Sequence, residues 1–593
     1  VALSVLYSSP YYGGSASTVE VPGRYPVALG GRGYNLDLRS GKFGWQSIAL
    51  MRQQFDTSDR PGERSLNPEA GWRRAQESWH LGAGQAALDR AESDPYRFAT
   101  SKGVDPWDEW ELGLLPDTTE VVDTTSTNLA LAATGTRLWL SDDDDVRYTD
   151  DGTSWSAATY GGGDIVSIAS TGSHVYVSDG ANVYRCAAAG TDFSSAYNTL
   201  DADLLRFVNG RLMAAHDDSI YEIVSGSAPT AHYQHPNAAA TWVDFAEGPS
   251  AIYAAAQVGD VGFVYRIGVD PTAGTLEVPV VVAQFVGETI LSLHGYAGTV
   301  LLIGTGDGFR VATYGTGGSL SVGARVPTGV PCRAFSGHQE YVWFGWEDFD
   351  ADNSGLGRID LSRFTSDINV FAYASDLMAD DDGAVTSILT FDGRRFFAVS
   401  GAGVYAEAAT LVASGWFTTG EISYGLPADK TLERVLLAGD AAAVVSVDLD
   451  VDGSGWSSLG SIALSQSTEM GTGLRTGERF DLRFTIARGS AASVKLRRWA
   501  LEAEPSASGR LHIFAPLLIA EQESVWGGAT GARDVTSDVD HVIALWSNQV
   551  VTTWQEGYRQ FPVRVTDIEW SPAQQTSDRG GWNGTLLVKM KKV

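Results

Sequence analysis

Aspartates supply most of the candidate chemistry in this 593-residue chain, and their spacing limits what they can do. Two runs alternate carboxylates in the manner of a calcium loop: Asp448-x-Asp450-x-Asp452-Gly453 and Asp350-x-Asp352-x-Ser354-Gly355. A helix–loop–helix calcium site also needs a bidentate glutamate at its twelfth position. Leucine stands there in both runs, as Leu459 and Leu361, and no helical pattern flanks either. The acidic turn Asp142 to Asp145 reads as solvated. His232 and His235 are the one close pair among nine histidines, and Pro236 behind them suggests a loop. The sequence shows no Ser-His-Asp elbow, phosphate-binding glycine loop or cysteine-rich zinc pattern. Cys186 and Cys332 fall in distant parts of the chain and read as two buried thiols rather than a disulfide. No catalytic, cofactor-binding or metal-binding residue is therefore assigned, no cofactor is expected, and the expectation is a protein that is not an enzyme.

Two aspartate turns have a local structural reading. Thr149-Asp150-Asp151-Gly152-Thr153-Ser154-Trp155 resembles the Asp-box hairpin of sialidase-like propellers, shortened by one residue. Asp450-Val451-Asp452-Gly453-Ser454-Gly455-Trp456 looks like the same device. In each, a carboxylate binds turn amides, glycine permits a positive φ and the tryptophan is expected to pack beneath the turn. A glycosidase would need paired carboxylates across a pocket, and sequence alone cannot pick such a pair from so many aspartates.

The first of these turns belongs to a repeat. Between residues 138 and 410 an apolar strand, a Gly- or Asp-rich turn and a second strand recur seven times, as in LWLSDDDDVRY from Leu138 and LIGTGDGFRV from Leu302. Equivalent positions are Arg147, Tyr184, Tyr221, Tyr265, Arg310, Arg358 and Tyr405, at spacings of 37, 37, 44, 45, 48 and 47 residues. A period of about 40–50 residues built only of short strands is the signature of a β-propeller. The fold expected is mainly β: a seven-bladed β-propeller with an N-terminal arm and C-terminal β-sandwich domains.

Four regions follow. Residues 1–120 lack the repeat and read as an arm that docks on the propeller or on neighbouring subunits. Asn67 as N-cap and Pro68 at the first position, with Trp72, Ala75 and Trp79 at helical spacing, predict a short helix there. Trp45, Trp72, Trp79, Trp107 and Trp110 are anchors of the kind interfaces use. Residues 121–415 form the propeller, closed by a strand from one end. Residues 416–505 carry longer alternating strands, predicting a β-sandwich. Residues 506–593 read as a β-rich docking domain with strands at HIFAPLLIA, HVIALWS, VVTTWQ, VRVTDIEW and TLLVKMKKV. Its basic end, Lys589, Lys591 and Lys592, reads as a solvated terminus or a docking point.

The net charge of −30 is concentrated in the propeller, where 13 arginines, no lysine and 35 acidic residues leave −22. That surface repels phosphate backbones, so nucleic acid is not an expected partner. No stretch approaches the ~20 apolar residues that span a bilayer, and the opening VALSVLYSSPYYGG lacks a basic n-region. The expectation is a chain made in a cytoplasm, without membrane insertion.

Two segments near the start, GERSLNPEAGWRRAQESWHLGAGQ from Gly62 and DPYRFATSKGVDPWDEWELGLLPDT from Asp94, resemble the N-terminal region of minor tail proteins from siphophages of actinobacteria. TGEISYGLPADKTLERVLL from Thr419 and SDRGGWNGTLLVKMKKV from Ser577 are similar to later parts of the same proteins. The resemblance implies a structural virion protein of the tail tip or baseplate. Its implied partners are other tail-tip proteins, copies of itself in a symmetric assembly and host cell-wall glycans. It carries over no catalytic residue. A glycan-binding receptor protein of the tail, or a tail-associated glycosidase, are the alternatives, and exposed Trp or Tyr in a groove would favour the first of them.

Overall fold

Short alternating segments dominate the chain, and the computed structural model is accordingly mainly β. It describes residues 25–38, 43–47, 72–88, 94–346, 353–365, 370–424, 429–440, 443–464, 468–489, 494–505, 511–520, 522–524, 530–532, 534–556, 559–572 and 584–592.

Seven four-stranded antiparallel sheets follow one another. The first runs Leu129–Thr134, Arg137–Asp142, Asp145–Thr149 and Ser156–Ala157, and the next five span 167–198, 204–234, 241–286, 290–326 and 335–378. The last combines Val385–Phe391, Arg394–Val399 and Gly403–Leu411 with Pro116–Asp123, an earlier segment that pairs in register from Gly403↔Asp123 to Leu411↔Pro116. The seven repeat markers all fall on third strands, opposite Leu140, Val177, Ala214, Ala254, Ile303, Trp343 and Phe397. First strands of successive sheets touch in a closed circuit, the last returning to the first. This is a β-propeller. Tight hairpins such as Asn209-Gly210 and Asp392-Gly393, with φ positive at both residues, match the right-handed twist of the strands they join.

Beyond the propeller, two five-stranded sheets share one apolar core. Ser457–Ala463, Val444–Val451, Phe480–Ala487, Ser414–Thr418 and Thr100–Lys102 form one sheet. The other holds Trp72–Gln76, Leu496–Pro505, Lys430–Gly439, Thr468–Gly471 and Thr476–Gly477. Phe484, Ile486, Leu501 and Trp499 meet in the core with Trp79 and Phe98 from the N-terminal region. A third unit joins Val27–Leu29, Arg32–Leu36 and Gly44–Ser47 to Leu511–Ile519, Val551–Glu556, Arg559–Pro572 and Gly584–Lys592. Arg32–Leu36 also pairs with Leu511–Ile519, so six of these strands close on themselves as a barrel.

The N-terminal region is thus woven through the molecule. Of its described strands, only the hairpin of Val104–Asp105 and Gly113–Leu114 lacks a hydrogen-bonded partner from beyond residue 400.

Two sequence expectations are corrected. Trp72–Gln76 is a strand, not part of a helix; Asn67 and Pro68 lie outside the described residues. Arg74 and Gln76 are buried while Arg73 and Ala75 are exposed, an alternation with period two. The free edge of Leu496–Pro505 offers this segment a full ladder, and that pairing overrides its helical spacing. HVIALWS is not a strand but the end of the helix Val535–Ser547. Asp534 caps that helix by accepting from the Ser537 N–H at 3.1 Å, and Val535, Val539 and Val542 form its buried stripe.

Candidate functional site

The deepest cluster of charge is an ionic lock between the sixth and seventh sheets and the N-terminal region. Asp376 is fully buried. It meets Arg358 Nε at 2.8 Å and Arg395 Nη1 at 2.9 Å, and accepts from the Trp343 indole N–H at 2.8 Å. Arg395 also pairs with Glu407 at 2.7 Å, and Arg358 with Asp105 at 3.2 Å. Burial alone would raise the Asp376 carboxyl, but the two guanidiniums and the indole hold it below its ordinary value. Burial pushes the Asp105 carboxyl up. Both oxygens of Asp376 are matched to donors and the Arg358 guanidinium packs against the rings of Trp107 and Tyr341, so the cluster holds elements together.

The metal-like run from Asp448 to Asp452 is spent on local contacts. Asp448 pairs with Arg483 at 2.8 Å. Asp450 accepts from the Gly455 N–H at 3.1 Å, while Asp452 accepts from the N–H groups of Glu478 and Arg479 at 3.0 and 2.8 Å. Asp350 and Asp352 lie outside the described residues. Sequence reasoning passed over a different trio, Asp201, Asp203 and His216, whose ligand atoms lie within 4.8 Å of one another. Both aspartates are exposed, and a 3.0 Å contact from Asp203 to the His216 Nδ1 accounts for the grouping without an ion.

His235 is a core residue. Its Nε2 lies 2.8 Å from the Tyr265 hydroxyl and its ring packs edge-on to Trp242, while the two-residue strand Tyr233–Gln234 separates His232 and His235, which themselves stand in irregular chain. Cys186 and Cys332 are buried free thiols in separate clusters.

The two aspartate turns diverge. Asp151 Oδ1 accepts from the N–H groups of Thr153 and Ser154 at 2.8 and 2.7 Å, and Trp155 packs on the cluster around Phe391 and Phe396, as the turn motif requires. Gly152, at φ 68°, is forced by the same neighbour: a Cβ there would lie 2.7 Å from the Phe396 ring. Trp456 does the opposite. It is 42% exposed, and its turn leads into Ser457–Ala463, the edge strand of its sheet. The expectation that Trp456 is a buried hairpin support is therefore corrected.

Trp456 instead walls a cleft of about 490 Å³. Ser454, Gly455 and Ser457 flank it in the turn; Arg475 and Thr476 face them, and Val451 also lines the space. The Arg483 guanidinium lies 5.0 Å from the indole centroid. Nearby, Asp450 and Asp481 stand directly opposite on bonded strands. Burial, then Glu421 and Asp450, pushes the Asp481 carboxyl up to about 6. Neither carboxylate lines the cleft, so the pair does not flank a bound sugar as glycoside hydrolysis requires.

A second cleft, of about 580 Å³, lies between the N-terminal region and the propeller, bounded by Gly84, Thr100, Arg325, Thr328, Trp346 and Tyr373.

No protein-family model matches the chain, and no curated protein matches its sequence. Solved structures are similar over about half of it. A catalytically inactive virginiamycin B lyase from Staphylococcus aureus with quinupristin covers 49% of this chain and 98% of its own, at 13% identity and a TM-score of 0.38. The Dos1 propeller covers 50% and 95%, at 10% identity and a TM-score of 0.35. A protein from Lactobacillus plantarum covers 47% and 97%, at 13% identity and a TM-score of 0.34. At such values nothing of the lyase's activity transfers to this chain. The β-propeller assignment rests on the sheets themselves.

Proposed function

We propose that this protein is a structural component of a phage tail tip or baseplate, a minor tail protein that contributes to tail assembly and host-surface attachment. In this reading the seven sheets are the blades of a seven-bladed propeller used as a display scaffold. The observation that carries it is the weaving of the N-terminal strands. Thr100–Lys102, Pro116–Asp123 and Val27–Leu29 are bonded into the sandwich, the propeller and the barrel in turn, so that force on one unit passes through hydrogen-bonded ladders to the others. A part that must stay aligned while a virion meets its host gains from that construction, whereas a freely turning enzyme does not need it. The sequence resemblance at both ends of the chain supports the same assignment. No catalytic residue is proposed, and the partners proposed are neighbouring tail proteins and further copies of this chain.

Antibody labelling and a density map of whole particles test the reading. Density for this chain in several copies at the tail tip is the expected result, and its absence from purified particles rejects the proposal. The exposed Trp456 favours one addition, a direct role in recognising host glycans.

A further inference from the structure

We propose that the cleft beside Trp456 is a binding site for neutral saccharide chains. The proposal deepens the attachment role above and rests on it for its biological setting, though the binding chemistry stands on the cleft itself. An exposed indole presents a broad, flat apolar face with a polar edge, the surface on which the C–H face of a pyranose ring stacks. Trp155 shows that this turn sequence does not by itself expose the ring, since there the same turn leaves it half-buried against an apolar cluster. Arg483, itself held by Asp448, lies over the Trp456 ring and fixes it in place.

The remaining walls suit sugar hydroxyls. Ser454 offers a hydroxyl that donates and accepts and Arg475 offers guanidinium donors, while the hydroxyls of Ser457 and Thr476, bonded to the Leu449 carbonyl and to Thr431, keep lone pairs that can accept. The volume falls within the range of small-ligand sites. The two walls are tied before any ligand arrives. Asp452 sits in the turn that carries Trp456, yet its carboxylate accepts from the backbone of Glu478 and Arg479, beyond the opposite wall. Asp450 closes the turn onto Gly455. The run that resembled a calcium loop thus fixes the shape of the cleft, which lowers the ordering cost of binding. The carboxylates beside the cleft, Asp450, Asp452 and Glu478, disfavour an acidic polymer, although Arg475 lines one wall. A neutral hexose chain meets no such repulsion.

The test uses the full chain, titrated by calorimetry with neutral gluco-, galacto- and manno-oligosaccharides and, in parallel, with oligogalacturonate. Saturable binding of at least one neutral series, and none of oligogalacturonate, is expected. Trp456→Ala should weaken it by at least about tenfold and Arg475→Ala by a smaller factor. Trp110→Ala, which removes an exposed ring elsewhere, should leave it unchanged. Melting temperatures show whether each variant is folded. Failure of all three neutral series to bind at millimolar concentration, binding that survives Trp456→Ala in a folded protein, or equal binding of oligogalacturonate would each overturn the proposal. Particles carrying Trp456→Ala separate the two readings. Normal assembly with poor adsorption supports the cleft, whereas normal assembly with normal adsorption overturns its role and leaves the tail-tip assignment standing.

Discussion

Asp376 carries the greatest energetic leverage of any single side chain in the ionic lock. Two guanidiniums and an indole N–H converge on a carboxylate with no access to water. Removing its charge leaves Arg358 and Arg395 desolvated and short of a partner, so Asp376→Asn should cost about 3–5 kcal/mol, read from chemical denaturation. A loss below 1 kcal/mol would mean that Asp105 and Glu407 neutralise the pair unaided. Asp481 works in the other direction. Its carboxyl rises from 3.8 to about 6, so the folded chain holds the proton more tightly than the unfolded chain does. Stability therefore falls as pH rises from about 4 to about 6 and stays lowered above that window. Asp481→Asn should stabilise by about 1–2 kcal/mol at pH 7.5, allowing for solvent screening, and by almost nothing at pH 4. Denaturation curves at the two pH values decide it, and an equal effect at both would contradict the assignment.

Among the elements, the closing strand Pro116–Asp123 is the one on which the propeller ring depends. It approaches Gly403 so closely that a Cβ there would lie 2.0 Å from the Val122 carbonyl oxygen, and Gly403 itself holds φ at 148°. Gly403→Ala must therefore push the strand away and strain the backbone as well, at a cost of about 1–3 kcal/mol. Limited proteolysis should then cut near residues 116–123 faster than in the parent chain; unchanged cleavage and melting would show that the ring closes without this contact. The two corrected elements differ in kind. The helix Val535–Ser547 was legible, since Asp534 precedes a stripe of valines at helical spacing. The strand Trp72–Gln76 was not, because its partner Leu496–Pro505 lies over 400 residues away and local spacing favoured a helix.

For the whole molecule, the weaving predicts that its parts do not fold separately. Residues 1–120 contribute strands to three units, yet their own pairing among the described residues is limited to short hairpins. Trp79, Phe98 and Trp107 are buried in a core made largely by residues beyond 300. Expressed alone, this fragment cannot repay about 1–2 kcal/mol of backbone entropy per residue, so it should be unfolded and protease-sensitive. A cooperative thermal transition in the isolated fragment, followed by circular dichroism, would refute this. The reciprocal fragment 416–505 lacks Trp72–Gln76 and Thr100–Lys102 from its two sheets and should melt well below the intact chain.

The sequence by itself determined the repeat, and with it the strand positions, because hairpins are local: the marker residues from Arg147 to Tyr405 needed only their own turns to land on third strands. It also determined the concentration of negative charge on the propeller segment and the buried, unbridged state of Cys186 and Cys332, which lie in different sheets' cores. Only the tertiary structure decided what the two aspartate turns do. Their sequences are nearly interchangeable, but Trp155 packs against the cluster that holds Phe391 and Phe396 of an adjoining sheet, whereas Trp456 leads into an edge strand, meets the Arg483 guanidinium and stays exposed. Burial of a side chain depends on what the rest of the chain brings to it, and that information lies hundreds of residues from the turn.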